Sequence, residues 1–122
     1  MEDNNGKGTL AAKSFAFAIR IVNAYKFLVN NNEYVLSKQL LRAGTSVGAN
    51  CREAKNAQSR QDFINKLNIA LKEADETSYW LELLYEADYL DKTAYNSINK
   101  DCVELIKLLT SIIKTTKNTP AE

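Results

Sequence analysis

A chain of 122 residues is long enough for one sizeable hydrophobic core and too short for two. Its 45% apolar and 25% charged residues are ordinary for a globular domain, and the net charge is only +1. There is no histidine, which removes the commonest general base, the commonest transition-metal ligand and every His-containing catalytic triad.

The single proline stands at position 120, and two of the four glycines are Gly6 and Gly8, so almost nothing interrupts the chain between Thr9 and Thr119. That predicts an all-helical protein. Cys51 and Cys102 form no CxxC pair and read as buried thiols of a reducing compartment, with no metal or redox role. The most apolar run, Phe15 to Val29, contains Arg20, Asn23 and Lys26, which argues against a membrane span or a signal-peptide core. The expected location is the cytoplasm.

The first helix is expected over roughly residues 9–30, because Asn30, Asn31 and Asn32 form a cluster that favours turns and caps. It is apolar on nearly every side. Phe15, Ala18, Val22, Tyr25 and Val29 can fill one buried stripe; Phe17, Ile21, Ala24 and Leu28 then point outward and require a second partner. The second helix is expected over roughly residues 33–57, with Leu36, Leu40, Ala43, Val47, Asn50, Ala54 and Ala57 on one seam. Within it lies AGTSVGANCREA, which holds Gly44 and Gly48 four residues apart. A phosphate-binding loop would need a preceding strand and a Gly-Lys-Ser/Thr ending, and neither is present. Two glycines inside a helix point to close approach of another backbone, either within the chain or from a second subunit.

Ser59 followed by Asp62 resembles a capping box, starting a third helix near Arg60. Phe63, Leu67, Ala70, Ala74, Thr77, Leu81 and Leu84 then recur at spacings of four and three, as a bundle seam does. Asp91 can cap a fourth helix running to about Lys117, with Ile98, Cys102, Leu105, Leu109 and Ile112 on its seam. Short connections force neighbours to run antiparallel. The expected fold is therefore all-α, an antiparallel up-down-up-down four-helix bundle over residues 9–117, with flexible ends at 1–8 and 118–122.

The run LLRAGTSVGANCREAKNAQSRQDFINKLNIALKEADETSYWLELL resembles the bacterial four-helix-bundle proteins encoded in intervening sequences of 23S rRNA genes, also called S23 ribosomal proteins. The accessory variability determinant of diversity-generating retroelements is similar to the same family. The segment TSVGAN with Arg52 and Glu53, then Ser59, Phe63, Ala70, Glu73, Glu76 and Leu81, matches the family pattern. The chain departs from it at Ala54, where many members have Gly, and at Cys51, where an aliphatic residue is usual. The resemblance implies an up-down bundle assembled as a homo-oligomer, a five-subunit ring. It also implies RNA, DNA or a nucleic-acid enzyme as partner, as in the strongly basic retroelement branch.

Charge is distributed unevenly. Between residues 38 and 66, six basic residues face two acidic ones; between 72 and 91, seven acidic residues face one basic one. Antiparallel packing gathers Lys7, Lys13, Arg52, Lys55, Arg60, Lys66, Lys114 and Lys117 at one pole, the candidate surface for nucleic acid or a partner. Glu33, Glu82, Glu86, Asp88 and Asp91 gather at the other. Phe17, Ile21, Leu28, Tyr79 and Trp80 are the candidate oligomer interface. Glu73 and Glu76 lack the Glu-x-x-His motifs of a di-metal carboxylate bundle and no loop forms a cleft for a substrate. They are expected instead to bond across helices two and three to Asn50, Arg52 or Arg42. The sequence thus predicts no enzyme, no cofactor, no metal, no membrane contact and no small-molecule substrate. It predicts a homo-oligomeric scaffold with RNA or a nucleic-acid-processing partner on its basic pole, or alternatively a module for protein–protein contacts alone.

Overall fold

The computed structural model describes residues 7–120, with side chains from Thr9 onward. Segments 1–6 and 121–122, within the ends read above as flexible, and the side chain of Lys7 lie outside the described residues. Four helices follow in order: α1 (Lys7–Asn30), α2 (Leu36–Lys55), α3 (Arg60–Glu86) and α4 (Lys92–Asn118).

Each helix end has a local chemical cause. Asn32 takes a left-handed conformation with φ 68°, and the amide of Glu33 reaches back to the carbonyl of Leu28 at 2.9 Å, ending α1 in a Schellman motif without glycine. Asn tolerates that backbone region better than most residues, which explains the asparagine cluster. The α3–α4 turn repeats the device: Asp88 has φ 69° and the Tyr89 amide donates to the Leu84 carbonyl at 2.8 Å. Ser59 caps α3 by accepting from the Asp62 amide at 3.0 Å, and Asp91 caps α4 by accepting from the Ala94 amide at 2.8 Å.

The start of α2 differs from the expected Glu33. Residues 33–35 are not helical; instead the buried Glu33 carboxylate accepts from the amides of Val35 (3.2 Å), Leu36 (2.9 Å) and Ser37 (2.5 Å), while the Ser37 hydroxyl donates to the Glu33 carbonyl. Burial acts to raise this carboxyl's pKa, but the amides of Leu36, Ser37 and Val35 outweigh it and hold the group below its ordinary value of 4.5. With the folded pKa below the unfolded one, the stabilisation is complete above the ordinary glutamate range and is lost as pH falls through the lower, folded value. Glu33→Gln should therefore cost about 1–2 kcal/mol at pH 7. That difference should shrink in urea melts taken at successively lower pH; a constant difference down to pH 3 contradicts the capping role.

Residue pairings set the topology. Gly44 and Gly48 lie against Ile21 and Ser14, Arg42 and Glu53 reach Glu73 and Lys66, Ser78 and Ala74 meet Asn99 and Cys102, and Lys13 and Arg20 reach Glu104 and Asp101. In every pair of helices the numbers rise on one side as they fall on the other, so all neighbours are antiparallel and the bundle is up-down-up-down. Packing is most extensive between α2 and α3 and least between α1 and α4, while α1 and α3 occupy diagonal corners.

The central parts of the α2, α3 and α4 seams fall where the period puts them, with Leu40, Val47, Leu67, Leu81, Leu105 and Leu109 fully buried, but Cys51, Ile64 and Ile113 are buried where Asn50, Phe63 and Ile112 were expected, and those three are half-buried. In α1 the stripe expected to face outward is the buried one, while Ala18, Val22, Tyr25 and Val29 of the stripe expected inside are half-buried. Phe17, Ile21 and Leu28 are at most 1% exposed and fill the core, whereas Phe15 is 57% exposed. Phe17, Ile21 and Leu28 are thus core residues of the chain itself and cannot form an outer face. Packing on α2 determines the phase: a Cβ placed on Gly44 would lie 2.6 and 2.7 Å from the Ile21 Cγ atoms, and one on Gly48 would lie 3.2 Å from the Ser14 carbonyl oxygen. The glycines therefore serve contact between α1 and α2 within one chain.

Candidate interaction surfaces

The antiparallel order brings the end of α2, the start of α3 and the end of α4 to one pole, as the charge pattern anticipates, but the neighbouring helices answer several of its cations. Lys13 pairs with Glu104 at 3.3 Å, and Lys66 with Glu53 at 2.9 Å. The hydrogen bond and charge of Glu53 hold the Lys66 ammonium above the ordinary lysine range. Arg60 donates to the carbonyl of Thr116 and so covers the exposed carbonyl end of α4. Arg52 lies over the ring of Phe15, 6.0 Å from its centre. Lys55, Lys114 and Lys117 are exposed and make no ion pair among the described residues. Lys114 and Lys117 line a shallow groove between α3 and α4, and Lys55 and Arg60 border a cleft at the bundle end.

Of the three partners expected for the polar link between α2 and α3, Arg42 is the one that makes it, and Asn50 and Arg52 do not. Arg42 reaches both Glu73 (3.4 Å) and Glu76, and the Trp80 indole N–H donates to the same Glu76 carboxylate at 3.1 Å. Asn50 instead donates back to the Ser46 carbonyl of its own helix at 2.9 Å. Arg52 faces α1. Arg52 lies elsewhere because α2 turns its Arg42 flank toward α3 and its Gly48–Arg52 flank toward α1. The Arg42 group fixes the register of two helices at modest net gain, since its guanidinium is half exposed.

Among the described residues of the helices, most of the exposed large apolar side chains lie on two diagonal ones, with Val103 on α4 besides. On α1, Phe15 (57%) and Ile19 (49%) face outward; on α3, Tyr79 (57%) and Ile69 do. Trp80 is half-buried and packs edge-on against Tyr79 with ring centres 5.0 Å apart. Of the interface residues expected from the sequence, Tyr79 and Trp80 are therefore at the surface, whereas on α1 the exposed apolar residues are Phe15 and Ile19 and not Phe17, Ile21 or Leu28.

Cys51 and Cys102 are buried, and burial pushes their thiols up to about 11 and about 12. Cys102 donates to the Ala74 carbonyl at 3.2 Å. Both are inert packing groups at neutral pH. Among the described residues no group of three or more His, Cys, Asp and Glu is placed to hold a metal ion, and no helix is long and apolar enough to cross a membrane.

No functionally curated protein matches the chain. Among solved structures, the chain is similar to a protein of unknown function of the S23 ribosomal protein family from Bacteroides thetaiotaomicron VPI-5482. The two are 63% identical over 89% of this chain and 98% of the other, with a TM-score of 0.88. The family model of the 23S rRNA-intervening sequence proteins matches residues 8–111. That match spans most of the chain, and the similarity to the solved structure agrees with it: the chain belongs to the family of 23S rRNA-intervening sequence proteins.

Proposed function

We propose that the protein is a non-enzymatic, homo-oligomeric helical scaffold of the cytoplasm, a five-subunit ring in line with the family resemblance, that binds RNA or a nucleic-acid-processing partner through its lysine-bearing pole. The observation that carries the assembly is the pair of uncovered apolar patches on diagonal helices. A two-fold contact buries one patch against its own copy and leaves the other in water. A head-to-tail contact, with the α1 patch of one subunit on the α3 patch of the next, buries both, and such contacts close into a ring when the rotation from one subunit to the next divides a full turn. In a ring, Lys55, Lys114 and Lys117 recur once per subunit on the same face. Repetition raises the local field and supplies the several phosphate contacts that one bundle lacks.

Filter binding to a structured RNA at low and at high salt tests the nucleic-acid part. The expected result is binding at micromolar protein that weakens with salt, and a Lys55→Gln/Lys114→Gln/Lys117→Gln variant with at least roughly tenfold lower affinity and a shallower salt slope. Absence of salt-sensitive binding refutes it. The ion pairs of Lys13 and Lys66 favour a second reading, a scaffold for protein contacts alone; a partner retained from the native cell after nuclease treatment supports that reading.

A further inference from the structure

The outer faces of α1 and α3 differ in charge as well as in place. Helix α1 has no acidic residue, and on its outward face the exposed Lys26 follows Phe15 and Ile19 at helical spacing and makes no ion pair among the described residues. On α3, the exposed Asp75, Glu82 and Glu86 stand four residues before and three and seven residues after Tyr79, so they share its face. They too make no ion pair among the described residues. One face is apolar and basic, the other aromatic and acidic.

The heights of these residues along the bundle follow from their bonds to α4. Arg20 donates to the Ser97 carbonyl at 3.2 Å and to Asp101 at 2.8 Å, and Ser78 meets Asn99, midway between those two, at 3.2 Å. Arg20 and Ser78 therefore stand level. Both helices run in the same direction and rise about 1.5 Å per residue, so Ile19 lies within about 3 Å of the height of Tyr79, and Lys26 falls between Glu82 and Glu86. Lys72, a cation on the Tyr79 face, stands near the level of the uncharged Phe15.

We propose that the outer face of α1 docks on the α3 face of a second copy, with the two bundles pointing the same way and without a shift along their axis. Ile19 then meets Tyr79, and Lys26 lies between Glu82 and Glu86. The inference rests on the assembly proposed above and names its contact. A contact of α1 with its own copy brings lysine toward lysine, and one of α3 with its own copy brings acid toward acid; α1 on α3 joins opposite charges as well as apolar surface. The matched heights have a further consequence. A head-to-tail contact with an axial shift winds into an open helix, whereas one without a shift stays in a plane, as a ring requires.

Thiol cross-linking tests the register, because Cys51 and Cys102 are buried and do not compete. In Lys26→Cys/Glu82→Cys, a short bifunctional thiol reagent should join chains into a ladder of covalent multimers that ends at the ring size on a denaturing gel. Lys26→Cys/Lys72→Cys, out of register by about 15 Å, should give single chains, as should Lys26→Cys alone. In light scattering, Lys26→Glu should weaken association by at least roughly tenfold at low salt, and Lys26→Glu/Glu82→Lys/Glu86→Lys should restore it. A multi-chain mass without the first cross-link, or without rescue by the reversed charges, overturns this contact and leaves the assembly standing. A mass of 13.7 kDa overturns both. Dimers formed by Lys26→Cys alone reveal a two-fold contact through α1, and a ladder from the Lys72 pair reveals an axial shift; either result also overturns the proposal.

Discussion

Phe15→Asp/Ile19→Asp is expected to reduce the proposed assembly to single chains of 13.7 kDa while leaving the helical content intact. Both side chains are about half exposed in the single chain, so each has roughly half of its burial still to gain, about 1–1.5 kcal/mol per residue per contact. Repeated at each subunit boundary of a ring, that gain is a main term for association. Placing two carboxylates in the same apolar contact reverses it, because each must then be buried without a partner or hold the surfaces apart. The same positions face water in the isolated bundle, where Asp costs only a few tenths of a kcal/mol in helix propensity. Phe17→Asp/Ile21→Asp is the informative contrast. Those side chains are at most 1% exposed inside the bundle, so that variant should fail to fold rather than dissociate. Light scattering with circular dichroism separates the two outcomes. A Phe15/Ile19 variant with wild-type mass removes the α1 patch from the interface.

Gly44→Leu should destabilise the bundle by about 3 kcal/mol or more, and Gly44→Ala by about 1–2 kcal/mol, even though Ala is better than Gly in a helix by about 1 kcal/mol. The reason is steric. The first added carbon already falls 2.6 Å from a side-chain atom of Ile21, which is fully buried and packed on all sides, so either Ile21 leaves its place or α1 moves away from α2. Because α1 has its largest contact with α2 and only a limited one with α4, little else retains it. Thermal melts read the effect directly: for a domain of this size 1 kcal/mol corresponds to a fall of about 4 °C in Tm. A Tm raised by Gly44→Ala shows that helix propensity dominates and that the close approach of α1 is wrong.

What the sequence revealed depended on whether the cause was local. The caps by Ser59 and Asp91 act on amides three residues away, so their chemistry is visible in a short window and the boundaries of α3 and α4 follow. The start of α2 was hidden because its cap, Glu33, acts across non-helical residues, while the N-cap residue itself is Val35, which offers no side-chain acceptor. In α1 the period was clear and the phase was not, since two neighbouring stripes are about equally apolar. A signal existed: Lys26 lies one heptad beyond Ile19, on the side of Phe15, while Leu10, Phe17, Ile21, Ala24 and Leu28 form a stripe with no charge.

For the interaction surfaces, antiparallel order alone was enough to collect the lysines at one pole. It could not show which of them are answered, because Glu104 and Glu53 come from the flanks of neighbouring helices and their reach depends on helix rotation. The same rotation separates Arg42, which bonds to α3, from Arg52, which does not.

Sedimentation equilibrium of the wild-type chain at micromolar concentration tests the central claim most directly, that the two diagonal apolar patches are closed by further copies of the same chain. The account predicts a single species of several-fold subunit mass, five times 13.7 kDa for the five-subunit ring, and a mass of 13.7 kDa at that concentration contradicts it.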